Sequence, residues 1–284
     1  MLQKSINVWS IPGGLEGDLD PIDFFRIAKD NRFDVVEVAV GPAESALGTD
    51  VTQSRCQEIV MAAAQIGVRI GSVASGLYWG RNLASGSADD RNGAKEDLKS
   101  MLQITSWLGA RTLLTIPGAV DVFFMPDRPA LSYRHVWDLA TEGLREVLPF
   151  AEKCEVRMGI ENVWNKFLMS PQELCMFIDQ FQSPWIGSYL DVGNLLPFGY
   201  AEDWIRHLGQ RIVGVHFKDY RRAVGTADGF VDLLEGDVNW PEVVKALKDV
   251  GFDGPCTAEM IPGYKFHPMV RVANTSNAMD AILG

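Results

Sequence analysis

Eight short apolar runs alternate with stretches of helical spacing along this 284-residue chain, and that alternation most restricts what it can fold into. The runs are Ile6–Trp9, Val35–Val40, Val68–Ala74, Thr112–Ile116, Arg157–Ile160, Ile186–Leu190, Ile212–Phe217 and Pro255–Ala258. Between them lie Pro21–Asp30, Thr52–Ile66, Ala94–Leu108, Tyr133–Lys153, Pro171–Asp179, Ala201–Leu208 and Trp240–Val250, which read as helices. A strand, a helix and a further parallel strand form a right-handed unit, and eight such units suffice to close a barrel. The expectation is an α/β chain whose residues 1–284 form a single (β/α)8 TIM barrel.

The boundaries carry their own signals. Asp20-Pro21, Ser170-Pro171-Gln172-Glu173 and Asn239-Trp240-Pro241 each join a capping side chain to a proline suited to the first helical turn. Gly67, Gly109 and Gly251 stand just past helices, where a left-handed residue ends the helix at little cost. An open doubly wound sheet would usually show a glycine-rich phosphate turn after its first strand. Ser10-Ile11-Pro12-Gly13-Gly14 does not fit GxGxxG.

A hydrophobic content of 47% with 22% charged residues is that of a globular chain able to bury a large core. The formal charge of −11 and a pI near 4.9 oppose attraction to nucleic acid or to an anionic membrane, which leaves a small molecule as the expected partner. Cys56, Cys154, Cys175 and Cys256 form no CxxC pair, so free thiols in a reducing compartment are expected. Met1–Pro12 lacks the basic stretch and apolar core of a signal peptide, and no run reaches the roughly 20 apolar residues of a membrane span. The expected location is the cytoplasm.

Four segments in the second half end an apolar run on a side chain that binds metals. Glu161 follows Met158-Gly159-Ile160, Asp191 closes Ile186–Leu190, His216 sits in Val213-Gly214-Val215-His216, and Glu259 follows Thr257-Ala258. One acidic residue after a strand is more often a helix cap than a ligand. In a parallel barrel, however, all strand ends emerge at one face, so four of them converge on one point. Two glutamates, an aspartate and a histidine make a mixed oxygen and nitrogen set suited to Mn2+, with Mg2+, Co2+ or Zn2+ as alternatives.

The ordered segments Gly159-Ile160-Glu161-Asn162, Tyr189-Leu190-Asp191-Val192-Gly193-Asn194, Val215-His216-Phe217-Lys218-Asp219 and Ala258-Glu259-Met260 resemble the sugar phosphate isomerase/epimerase group of the xylose isomerase-like barrels. That group includes ketose and ketose-phosphate 3-epimerases. The resemblance extends to Ser75–Trp79, Leu108–Ala110 and Phe230–Trp240, and so covers nearly the whole chain. It implies that Glu161, Asp191, His216 and Glu259 hold one divalent ion, and that Glu161 and Glu259 are also the catalytic proton-transfer pair. It places Arg222, six residues after His216, beside the substrate oxygens. Epimerases of free sugars often carry a histidine where this chain has Asn194, and the Asp-Val-Gly-Asn form looks more like the phosphosugar branch, with Asn194 a candidate to donate a hydrogen bond to a substrate hydroxyl in either case.

Other candidates come from position alone. Lys218 is a candidate for a substrate oxygen or phosphate, against a salt bridge with Asp219 or another acid at the barrel mouth. Trp9, Trp79 and Trp164 lie at or after strand ends, where an indole can pack on the apolar face of a sugar or simply fill the core. Glu37, near the end of the second run, is a candidate to bond substrate or to orient a ligand, and His267 a loop residue. The expected activity is a metal-dependent isomerase or epimerase of a ketose or ketose phosphate, in a homodimer or homotetramer. An inosose-type dehydratase on the same barrel is the alternative within enzymes, and a non-catalytic sugar-binding barrel the alternative outside them.

Overall fold

The computed structural model describes all residues 1–284. Eight parallel strands close into a barrel in the order β1-β8-β7-β6-β5-β4-β3-β2. They are β1 (Gln3–Asn7), β2 (Val35–Val40), β3 (Arg69–Ser75), β4 (Thr112–Thr115), β5 (Arg157–Glu161), β6 (Ile186–Asp191), β7 (Ile212–Phe217) and β8 (Pro255–Ala258). Each is followed by one of eight helices, α1 (Pro21–Asp30), α2 (Gln53–Ile66), α3 (Ala88–Trp107), α4 (Tyr133–Cys154), α5 (Pro171–Asp179), α6 (Ala201–Leu208), α7 (Trp240–Asp249) and α8 (Pro268–Leu283). The expected (β/α)8 barrel is the fold observed.

The differences from expectation have local causes. The first strand stops at Asn7, because the Asn7 side chain accepts a hydrogen bond from the Trp9 amide at 2.6 Å and turns Val8–Ser10 out of the sheet. Thr52 caps α2 instead of opening it, its hydroxyl accepting from the Arg55 amide. Helix α3 begins at Ala88, earlier than its apolar period suggests, under a Ser87 cap. Helix α8 is absent from the seven helices read in the sequence. It buries Arg271, Thr275 and Ser276 beside Val272 and Met279, so its inner face carries no clean apolar stripe.

The helices press apolar faces on the outside of the barrel, as Phe24, Phe25 and Ala28 of α1 and Val136, Ala140 and Leu144 of α4 do. Inside the barrel, polar groups come together. Asn7, Glu37, Ser72, Tyr189 and His216 come from β1, β2, β3, β6 and β7 and are all buried. Gly214 pairs with Tyr189 across the β6–β7 ladder. A Cβ at Gly214 would lie 2.5 Å from the Tyr189 ring, so only glycine leaves room for that ring in the interior.

Candidate metal centre and active site

Strand register brings the four ligand candidates to one end of the barrel. Asp191 and His216 are direct neighbours on the β6–β7 ladder. Glu161 is the last residue of β5, and Glu259 follows β8 with its amide bonded to the Phe217 carbonyl. One donor atom from each of Glu161, Asp191, His216 and Glu259 lies within 4.8 Å of the other three. That span is close to a coordination sphere built on bonds of roughly 2.0–2.2 Å.

Two of the four candidates, Asp191 and His216, are held by their other polar atoms. Asp191 Oδ1 accepts from the amides of Gly193 and Asn194, at 2.9 and 2.8 Å, and so turns Oδ2 toward the site. Asn162 ties the ends of β5 and β6 together, donating to the Asp191 carbonyl and accepting from its amide. His216 Nε2 faces Glu37 Oε1 at 2.6 Å, leaving Nδ1 directed at Glu259 Oε2, 3.1 Å away, and Glu161 Oε1, 3.5 Å away. Asp191 Oδ2, His216 Nδ1 and Glu259 Oε2 are buried without a hydrogen-bond partner. Buried polar atoms seldom stay unpaired, and three of them converging here fit a divalent cation.

Lys218 is the counter-charge in the protein alone. Its Nζ stands 2.5 Å from Glu259 Oε2 and 3.0 Å from Asp191 Oδ2, close enough for ion pairing but not aligned as directed hydrogen bonds. Gly193 permits this placement, since a Cβ there would lie 2.5 Å from the Lys218 Cβ. Burial pushes the Glu161 carboxyl up, Glu259 repels its charge, and it settles at about 7. Burial acts on Glu259 in the same sense, but the charges of Lys218 and His216 outweigh it and hold that carboxyl at about 2. Burial disfavours a charged His216, yet the Glu37 charge beside it prevails and raises it well above the ordinary imidazole value. An ion at Nδ1 must displace the proton held there.

Glu37 lies behind this centre. It is fully buried and receives Asn7 Nδ2 at 2.5 Å, Ser72 Oγ at 2.6 Å, the Tyr189 hydroxyl and His216 Nε2. It does not line the cavity over the site, and its contact is with the histidine. A carboxylate bonded to the far nitrogen of a metal-binding histidine fixes the ring and its tautomer. Asn7, Ser72, Tyr189 and Asn162 were not singled out from the sequence. Asn162 and Tyr189 lie in the motifs of Glu161 and Asp191, whereas Asn7 and Ser72 carry no local signal.

Above the four donors opens a cavity of about 720 Å³ at the C-terminal ends of the strands, a size that suits a small-molecule ligand. Glu161, Glu259, Lys218, Asn194, Trp9, Trp79 and Trp164 all contribute to its lining. The Asn194 side chain donates to the Asn162 carbonyl, and the Trp164 indole N–H donates to the Asn194 carbonyl at 2.8 Å. Arg222 is elsewhere: its guanidinium lies 4.2 Å over the Tyr200 ring and donates to the Gly199 carbonyl. His267 is exposed at the start of α8. Asp219 does not pair with Lys218; its carboxylate accepts the amides of Tyr220, Leu234 and Val238 and the Trp240 indole, which secures the loop between β7 and α7.

The sequence model of the xylose isomerase-like TIM barrel matches residues 25–279. The chain belongs to that family. Among relatives of this xylose isomerase-like barrel is the L-ribulose-5-phosphate 3-epimerase UlaE of Escherichia coli O1:K1, 25% identical over 99% of this chain and 96% of that one. The D-psicose 3-epimerase of Ruminiclostridium cellulolyticum is also 25% identical, over 86% of this chain and 76% of its own. A solved structure of D-psicose 3-epimerase in the presence of D-fructose has the same fold, with a TM-score of 0.78, 16% identity and 99% coverage of both chains. The IolI protein, solved with a bound zinc atom, superposes with a TM-score of 0.77 at 14% identity, over 99% of this chain and 98% of that one.

Proposed function

We propose that this barrel is a divalent-metal-dependent epimerase of a ketose or ketose phosphate, acting at the carbon beside the carbonyl. The observation that carries the reading is the convergence of Glu161, Asp191, His216 and Glu259, with three buried atoms that make no directed hydrogen bond, at the floor of a ligand-sized cavity. Relatives named as ketose-phosphate and ketose 3-epimerases, matched over 96% and 76% of their lengths, support it. Glu161, Asp191, His216 and Glu259 are the proposed ligands, and Mn2+ is the proposed ion on the strength of the mixed oxygen and nitrogen set. The bound ion would supply positive charge beside the oxygens of a developing enediolate.

The protein's own residues do the rest. Epimerisation needs a proton removed from one face of a carbon and delivered to the other. Glu161 enters from β5 and Glu259 from β8, with β6 and β7 between them, and both line the cavity. One acts as base and the other as acid, with roles exchanged in the reverse direction. Asn194 and Lys218 are proposed to contact sugar oxygens, and Trp79 and Trp164 to pack on its apolar face. Arg222 takes part only by leaving Tyr200, and Glu37 by holding His216. The proposal takes residues 1–284 as one domain, working as a homodimer or homotetramer in the cytoplasm.

Ketoses and their phosphates incubated with Mn2+ in deuterated water test this. Exchange at C3 with an epimeric product is the expected result. Exchange confined to C1 would mark an aldose–ketose isomerase, a product lighter by one water a dehydratase, and full activity of Glu161→Gln or Glu259→Gln would sink the two-carboxylate mechanism.

A further inference from the structure

We infer that the substrate of this site is a neutral ketose and not its phosphate ester. The inference rests on the epimerase reading above and deepens it. Its grounds are the charges around the cavity. Lys218 is the sole cation lining it, and that ammonium is committed to Glu259 and Asp191. The other charged residues of the lining are Glu16, Glu161 and Glu259. Even with a divalent ion in place, its two charges and that of Lys218 are matched by the carboxylates of Glu161, Asp191 and Glu259.

A phosphate on the sugar carries close to two negative charges and, once out of water, needs charged donors or amides to replace its hydration. In barrels of this type such a group usually sits on the loops after the seventh and eighth strands, against a helix N-terminus. Here Arg221, Arg222, Arg271 and the start of α8 all lie outside the cavity lining. Arg221 pairs with Glu235 at the exposed surface, and Arg222 is folded onto Tyr200 and the Gly199 carbonyl, its Nε buried without a hydrogen-bond partner. Arg271, in the first turn of α8, donates to Asp232 Oδ1 at 2.7 Å and to the Pro262 carbonyl. Pro268 gives the start of α8 no N–H, and the Val270 amide there is bonded to the His267 carbonyl.

Nearby loops repeat the pattern: Arg81 forks onto Asp97, and Lys166 pairs with Asp121. The walls are instead apolar and aromatic, including Trp9, Leu15, Trp79, Phe124, Trp164 and Phe230. Such faces stack on the C–H surface of an uncharged sugar and offer nothing to a phosphate. Asn194 does not alter this, because it carries no charge, and one N–H of its side-chain amide is bonded to the Asn162 carbonyl.

The test uses the Mn2+-loaded full-length protein with two matched pairs, D-fructose against D-fructose 6-phosphate and L-ribulose against L-ribulose 5-phosphate. Deuterium exchange gives kcat/KM, and titration calorimetry gives affinity independently of turnover. In at least one pair the free sugar should be favoured tenfold or more in both measurements. A phosphate ester handled as well as its free sugar, or better, overturns this inference and leaves the epimerase reading standing. Failure of all four compounds to bind or exchange overturns both. Phe124 is half exposed at the cavity, so Phe124→Lys adds a cation without disturbing the core. It should move the kcat/KM ratio about tenfold toward the phosphate ester, and an unmoved ratio would defeat the charge argument.

Discussion

The two mouths of the barrel both hold a cavity, and they differ in how their polar atoms are satisfied. The one at the N-terminal ends of the strands, about 510 Å³, is edged by Arg69, Arg111 and Arg157. Arg69 donates to Gln3 and Arg111 pairs with Glu155, both at the solvent-exposed surface. None of the residues lining it carries a buried polar atom without a partner. The C-terminal mouth gathers three such atoms, on Asp191, His216 and Glu259, around one point. A hollow of several hundred cubic ångströms is therefore not by itself the mark of a site in this molecule; four metal-binding side chains converging on one point are.

The sharpest way to break that contrast is to neutralise the carboxylates. Glu161→Gln and Glu259→Gln should each cut turnover by about 10²–10⁴, the usual worth of a positioned acid or base, as read by deuterium exchange. Chelation comes next. With Mn2+ at 100 times its Kd, binding adds about 2.7 kcal/mol to stability, so EDTA should lower the calorimetric melting temperature. A melting curve indifferent to both would mean the four residues hold no ion.

Glu37→Gln should weaken Mn2+ binding about 10–100-fold by titration calorimetry, because the residue behind the histidine then no longer fixes its ring as a carboxylate does. Unchanged affinity would reduce Glu37 to a core residue. Tyr189→Phe should take about 0.5–1.5 kcal/mol from chemical-denaturation stability, since it removes one of several hydrogen bonds on Glu37. The smallest effect is expected at the opposite mouth. Arg157→Ala should stay within about 0.5 kcal/mol in stability and leave exchange rates unchanged. A large loss there would erase the distinction between the two ends.

What could be read in the sequence divides along the same lines. Glu161, Asp191, His216 and Glu259 stand out because each interrupts an apolar run at its end, and parallel strands must end at one face. The barrel itself was legible from eight runs and their capped helices. Tyr189, Ser72 and Asn7 gave no such signal. They sit within strands buried on both faces, where a polar residue pointing inward looks no different from one satisfied locally. Helix α8 was hidden for a related reason: its inner face uses Arg271, Thr275 and Ser276, whose partners lie in distant loops or on neighbouring turns.

The sequence by itself determined the alternation of strands and helices, and with it the strand ends on which the four candidate ligand residues stand. Only the tertiary structure decided which partner each residue takes. Glu37 went behind His216 and not into the cavity, Lys218 onto Asp191 and Glu259 and not onto Asp219, and Arg222 onto Tyr200. The physical reason is that a strand end fixes the direction of a side chain, while its hydrogen bonds and ion pairs depend on closure of the barrel. Glu37 and His216 are 179 residues apart, and no local pattern encodes their 2.6 Å contact.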